Sequence, residues 1–179
     1  MPAILRTTGV NSTVQAFALA SGSSDQSVKL WDVATGTERF TFKGFRHGVA
    51  CLVFTPDGLR LAAAASDTIK VWDVVTGQES LTINSYGHEP AAMAFSPDDT
   101  RLVTGGKEGE YAKGGGVKLW DARTGYELLT LGGASDVITC VAFSPDGRRL
   151  ATAVTSGVSV LQLGQESARV MIWDATPID

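Results

Sequence analysis

The stretch Val117-Lys118-Leu119-Trp120-Asp121-Ala122-Arg123-Thr124-Gly125 recurs in variant form along the chain and sets its period. All four tryptophans precede an aspartate, in Trp31-Asp32, Trp72-Asp73, Trp120-Asp121 and Trp173-Asp174, and the first three run on to Thr35-Gly36, Thr76-Gly77 and Thr124-Gly125. From each of those glycines to the next motif phenylalanine is 18 residues: Gly36 to Phe54, Gly77 to Phe95, Gly125 to Phe143. Each phenylalanine opens the same punctuation, Phe54-Thr55-Pro56-Asp57-Gly58, Phe95-Ser96-Pro97-Asp98-Asp99 or Phe143-Ser144-Pro145-Asp146-Gly147, with Leu61, Leu102 or Leu150 seven residues beyond it. Only the leucine-to-tryptophan distance varies, at 12, 11, 18 and 23 residues in successive units. Insertion is therefore confined to one loop per unit, as expected of a repeat architecture.

The segments between these turns are short and rich in Val, Ile, Phe, Leu and Thr, which reads as strand. Proline presets φ at the first corner of each Pro-Asp-Gly turn and glycine accepts positive φ at its exit, so each unit folds back as an antiparallel meander. In the second unit the strands are placed at about 48–54, 60–66, 69–73 and 79–83. Ala91-Ala92-Met93-Ala94-Phe95, Val137-Ile138-Thr139-Cys140-Val141-Ala142-Phe143 and Leu61-Ala62-Ala63-Ala64-Ala65 are near-continuous apolar runs, which suits sheets buried on both faces. Sheets stacked face to face, one per unit, follow from this, with units at roughly 3–43, 44–84, 85–132 and 133–179 of a single domain.

A length of 179 residues with 44 % hydrophobic content suits one domain with a packed core. The net charge of -4 comes from 15 basic and 19 acidic residues without long runs of one sign, so nucleic acid is not an expected partner. The start shows no basic segment followed by an apolar one, and no apolar run is long enough to span a bilayer; a soluble, cytoplasmic protein without membrane contact is expected. Cys51 and Cys140 are too few for a disulfide framework or a thiolate metal cage, and both read as buried free thiols on the same strand two units apart.

These motifs together resemble the WD-repeat β-propeller family. The resemblance rests on the Trp-Asp strand ends, the Phe-Ser-Pro-Asp turns, the leucine-alanine second strand and Asp25-Gln26-Ser27-Val28-Lys29-Leu30-Trp31, and it covers about residues 17–174. It implies an all-β fold of four-stranded blades around a central channel. It also implies a role as a non-catalytic scaffold that presents loops to a protein or peptide partner. A segment of a larger regulatory protein is the alternative, and a propeller-based hydrolase is a third reading.

The family carries a Gly-His pair ahead of the innermost strand, whose imidazole joins a hydrogen-bonded tetrad with Asp, Ser or Thr and Trp. Counting back from the phenylalanines puts that pair on Gly44-Phe45, Ser85-Tyr86 and Gly133-Ala134, with no histidine among them. His47 and His88 lie two positions further on, in equivalent places, and read as exposed loop histidines on one side of the ring. The Gly-rich insertion 105–116 lacks the Lys-Ser/Thr pair of a phosphate loop and reads as a flexible hairpin loop. A second insertion, about 155–168, is placed as a longer hairpin. The face with these loops is the expected recognition surface, contacting partners through His47, His88, Lys107, Glu108, Tyr111, Lys113 and Glu166. No nucleophile elbow, metal-binding histidine pair or paired acids stands out, so no enzyme activity, cofactor or metal is expected.

Four blades cover roughly half a turn of the usual ring. Three outcomes follow: part of a longer propeller, a homodimer of two arcs completing an eight-bladed ring, or tight closure with the N-terminal strand completing the last blade.

Overall fold

The computed structural model describes residues 3–6, 18–108, 114–134, 137–155 and 168–174, and these form strands and turns without a helix. The first sheet comprises β1 (Ala3–Arg6), β2 (Ala18–Gly22), β3 (Val28–Asp32) and β4 (Glu38–Phe42), in that order. β5 (Cys51–Phe54), β6 (Arg60–Ala65), β7 (Thr68–Asp73) and β8 (Glu79–Asn84) make the second, within a few residues of the expected positions. The third holds β9 (His88–Phe95), β10 (Arg101–Glu108), β11 (Gly114–Asp121) and β12 (Glu127–Ala134). In the fourth, the described strands are β13 (Val137–Phe143), β14 (Arg149–Thr155) and β15 (Ala168–Asp174). Each is an antiparallel meander of sequence neighbours.

The repeated aspartates explain the turns. After the tryptophan, the Asp73 carboxylate accepts the Val75 and Thr76 amides at 2.9 and 2.7 Å, and Asp121 does the same for Arg123 and Thr124. These amide bonds, led by Thr76 and Thr124 respectively, hold both carboxyls below their ordinary value. Gly36, Gly77 and Gly125 then close the turns at φ of 71, 71 and 76°. At Gly77 a Cβ would sit 2.7 Å from the Phe40 ring, so glycine is also required for space.

The sheets pack face to face, the second on the first, the third on the second, the fourth on the third. Phe42 and Phe45 from the first-to-second joint enclose Trp72, whose ring lies 4.7 Å from Phe42 in a stack and 5.9 Å from Phe45 edge-on. Polar clamps cross the later joints. Arg60 donates to the Asp99 and Ala122 carbonyls at 2.7 and 2.8 Å with its guanidinium over Phe95, and Arg101 donates to the Gly147 carbonyl at 3.0 Å over Phe143. No packed pair of strands joins the first sheet to the fourth among the described residues.

Three expectations are corrected here. β1 pairs with β2, Ala3 opposite Gly22, as the first strand of the first sheet, so tight closure with this strand completing the last sheet is not what forms. Cys140 is exposed rather than buried, because no described sheet packs beyond the fourth. The Gly-rich run is largely strand: Gly105 to Glu108 lie in β10 and Gly114 to Gly116 in β11, paired in register. Glycine serves close approach there, since a Cβ on Gly106 would stand 1.9 Å from the Glu89 carbonyl oxygen.

Candidate functional site

The meander sorts the connections onto two rims. Trp-Asp and Pro-Asp turns lie on one; the 23–27, 43–50, 66–67 and 85–87 connections, with Glu108 at the end of β10 and Gly114 at the start of β11, lie on the other. The second rim is braced by its own backbone, with the Val49 amide on the Ser23 carbonyl at 3.0 Å and the Ser85 amide on the Asp67 carbonyl at 2.8 Å. Among the described residues, three of the four non-glycine residues with positive φ sit on it, Gln26 at 73°, Ser66 at 52° and Tyr86 at 34°. Such backbone persists only where its surroundings hold it.

His47 is exposed on this rim, and Lys107 is exposed near the end of β10. Glu108 ends that strand. Tyr111, Lys113 and Glu166 lie outside the described residues. Sequence reasoning missed Tyr86, whose side chain is 84 % exposed, and the exposed cations Lys43 and Arg46 beside His47. A groove of about 710 Å³ opens between Asp25, Lys29, Thr41 and Lys43 at the edge of the first sheet. Its lining mixes both charge signs, and among the described residues no three His, Cys, Asp or Glu side chains converge as metal ligands do.

His88 is not on that surface. It is 1 % exposed, and its Nε2 lies 3.0 Å from the Thr104 hydroxyl, which also accepts the Trp120 indole N–H at 3.0 Å. The third sheet therefore builds most of the histidine-hydroxyl-tryptophan network that counting back from Phe95 places on Ser85-Tyr86. Nδ1 is buried without a partner. A proton on Nε2 leaves only a lone pair orphaned there, which costs less than an orphaned N–H. Protonating Nδ1 would bury an unpaired charge. Burial, helped by the nearby Lys118 charge and opposed by Glu127, lowers the His88 pKa to about 4.

The other sheets vary this theme. Trp31 donates to Ser21 at 3.0 Å and Trp173 to Thr152 at 3.2 Å. In the second sheet the hydroxyl position is Ala63 and the histidine position Phe45, so an apolar cluster replaces the polar one as a unit. A partly satisfied network would be worse than either.

The family model described as WD domain, G-beta repeat matches residues 7–32, 36–73, 79–121 and 125–174. The chain belongs to the WD-repeat family. Among curated proteins, this WD-repeat chain is 41 % identical over 49 residues to Coronin-7 of Mus musculus, covering 27 % of the chain and 5 % of that protein. It is 43 % identical over 49 residues to DDB1- and CUL4-associated factor 13 of Dictyostelium discoideum, covering 27 % of the chain and 11 % of that protein. With WD40 repeat-containing protein HOS15 of Arabidopsis thaliana it shares 41 % over 54 residues, or 30 % of the chain and 9 % of that protein. The alignments thus span a small fraction of each relative's length.

A pH dependence follows from His88. Its folded pKa lies below the unfolded value, so between about pH 6.5 and pH 4 the unfolded chain binds the proton and the folded chain does not. Stability is full above pH 6.5 and falls as pH drops through that window, by about 3 kcal/mol in all. Urea titrations at pH 7.5, 5.5 and 4.5 should show the decline. His88→Gln should be less stable at pH 7.5 and should flatten the dependence between pH 6.5 and 5.

Proposed function

We propose that the chain is a non-catalytic interaction scaffold whose 23–27, 43–50, 85–87 and β10–β11 rim binds a protein or peptide partner in the cytoplasm. WD-repeat domains generally mediate contacts between proteins, and that role suits a chain whose acidic turns are occupied in holding its own backbone. The observation that carries the reading is the gathering of exposed Lys43, Arg46, His47, Tyr86 and Lys107 on one rim of rigid, deeply packed sheets. Loops held by such a base bind without a large ordering cost. Lys43, Arg46 and Lys107 share this rim with Asp25, Asp67 and the exposed Tyr86, and a surface of both charge signs suits a polar peptide segment better than nucleic acid, given the net charge of -4. Service as part of a larger regulatory assembly fits the same surface, and a second copy completing the array belongs to the same reading.

The test is quantitative capture of partners from the source cells by three forms of the chain. The triple variant Arg46→Glu, Tyr86→Ser, Lys107→Glu is expected to lose specific partners about tenfold or more, whereas Arg123→Glu on the opposite rim retains them. Loss from the Arg123→Glu form with retention by the triple variant would overturn the assignment.

A further inference from the structure

We propose that the open face of the fourth sheet docks head to tail on the first sheet of a second copy of this chain. This rests on the reading that a second copy completes the array, and it assigns the two faces that meet.

The chain shows twice over what covers such a face. Across the second sheet, Cys51, Ala64 and Ile69 stand side by side in register, with Val53, Ala62 and Val71 as the next row on the same face. Met93, Phe95, Leu102 and Trp120 of the third sheet cover them. The third sheet repeats the rows with Ala92, Gly105 and Val117, and with Ala94, Val103 and Leu119, packed under Ile138, Val141, Leu150 and Trp173 of the fourth. The fourth sheet carries them again, as Cys140, Ala153 and Val170, and as Ala142, Ala151 and Ile172. Val170 and Ile172 are each 70 % exposed, while their counterparts Ile69 and Val71 are 0 % and 1 %. The clamp is open as well. Arg149 is exposed and its guanidinium meets no acceptor among the described residues, whereas Arg60 and Arg101 at the same strand position each hold a carbonyl of the next sheet.

The covering half is equally regular, a leucine on the second strand and a tryptophan on the third. Leu61 with Trp72 and Leu102 with Trp120 are at most 3 % exposed, pressed on the preceding sheet. Leu19 of the first sheet is only half-buried, whereas Leu61, Leu102 and Leu150 are at most 3 % exposed, because no described sheet lies beneath it; Trp31 beside it is half-buried, as is Trp173 of the fourth sheet. Among the described residues, each copy therefore bears one uncovered face and one unused cover of matching chemistry. Such a joint is heterologous, and it closes when two copies make it twice. Exposed contiguous apolar rows of this kind mark an association surface.

Light scattering across a concentration series is the test. The wild-type chain is expected at twice 18.8 kDa. Val170→Asp/Ile172→Asp, at two exposed positions, should keep the wild-type circular dichroism and weaken self-association at least 100-fold, because it sets charge against an apolar cover. Trp31→Arg, checked the same way, should weaken it too. A wild-type monomer at concentrations on the order of 100 µM would overturn both the pairing and the assignment. A dimer indifferent to Val170→Asp/Ile172→Asp would overturn the face assignment and leave the pairing. A dimer broken by that variant yet indifferent to Trp31→Arg would mean that open faces meet each other, and head-to-tail docking fails.

Discussion

Trp72→Ala is expected to lower the thermal midpoint by roughly 10 °C, through a loss of about 3–5 kcal/mol. The indole is 3 % exposed at the joint between the first and second sheets, stacked on Phe42 and met edge-on by Phe45. Truncation removes its buried area and leaves two phenylalanine rings facing a cavity. Aromatic pairs of this geometry contribute about 0.5–1.5 kcal/mol each beyond area. Sheets held by packing cannot collapse into the gap without shifting a whole blade, so relaxation recovers little. Trp31→Ala is the control, since the same residue type in the same motif is half-buried, with no described sheet beyond it. It should cost about half as much. Equal losses at the two positions, read by thermal denaturation of the dilute chain, would mean that the motif acts within its own sheet rather than across the joint.

Thr104→Val should cost about 2–4 kcal/mol although it keeps the shape of the side chain. The hydroxyl of Thr104, itself 0 % exposed, accepts from Trp120, lies within hydrogen-bond distance of His88 and stands 3.5 Å from the Lys118 carbonyl. Valine fills the space and leaves the indole N–H and the imidazole Nε2 desolvated without a partner. Once that is done, His88→Phe should cost markedly less than it does in the wild-type background, because its partner is already lost. A double-mutant cycle by urea denaturation measures this coupling. Additive losses would show that the three groups are neighbours and not a network.

How much of this was legible depends on the range of the signal. The turns were, since Trp-Asp and Pro-Asp-Gly are local chemistry: each aspartate accepts amides two or three residues away, and the glycine takes the positive φ. The four sheets and their order followed from the repeat. His88 was misread because counting back from Phe95 assumes that every inner strand has the same length. β9 is eight residues, and its pairing with β10 shifts between Gly105 and Gly106, so the imidazole reaches Thr104 from a position offset by two. One signal was in the sequence: the repeat with Thr104 carries His88, whereas the repeat with Ala63 carries Phe45, the two sites changing together. The Gly-rich run misled for a related reason. Gly105 and Gly106 answer to Ile138 and Glu89, which lie far off in sequence or on the neighbouring strand. Of the rim, sequence placed His47 and Lys107 on the exposed side. Tyr86 lacked any motif, and its exposure depends on the short turn into β9.

Cys51 and Cys140 occupy the same strand position two sheets apart, which makes thiol labelling with Ellman's reagent the most direct measurement of an open, self-completing array. Cys51 is buried beneath the third sheet, its thiol 3.7 Å from the Pro90 carbonyl and its pKa pushed up to about 12 by burial. It should stay unreactive at every concentration in the folded chain. Cys140, exposed on the fourth sheet, should react readily in dilute solution and become protected as concentration rises and a second copy covers it. Equal reactivity of the two thiols, or Cys140 labelling that is the same at all concentrations, would contradict this account.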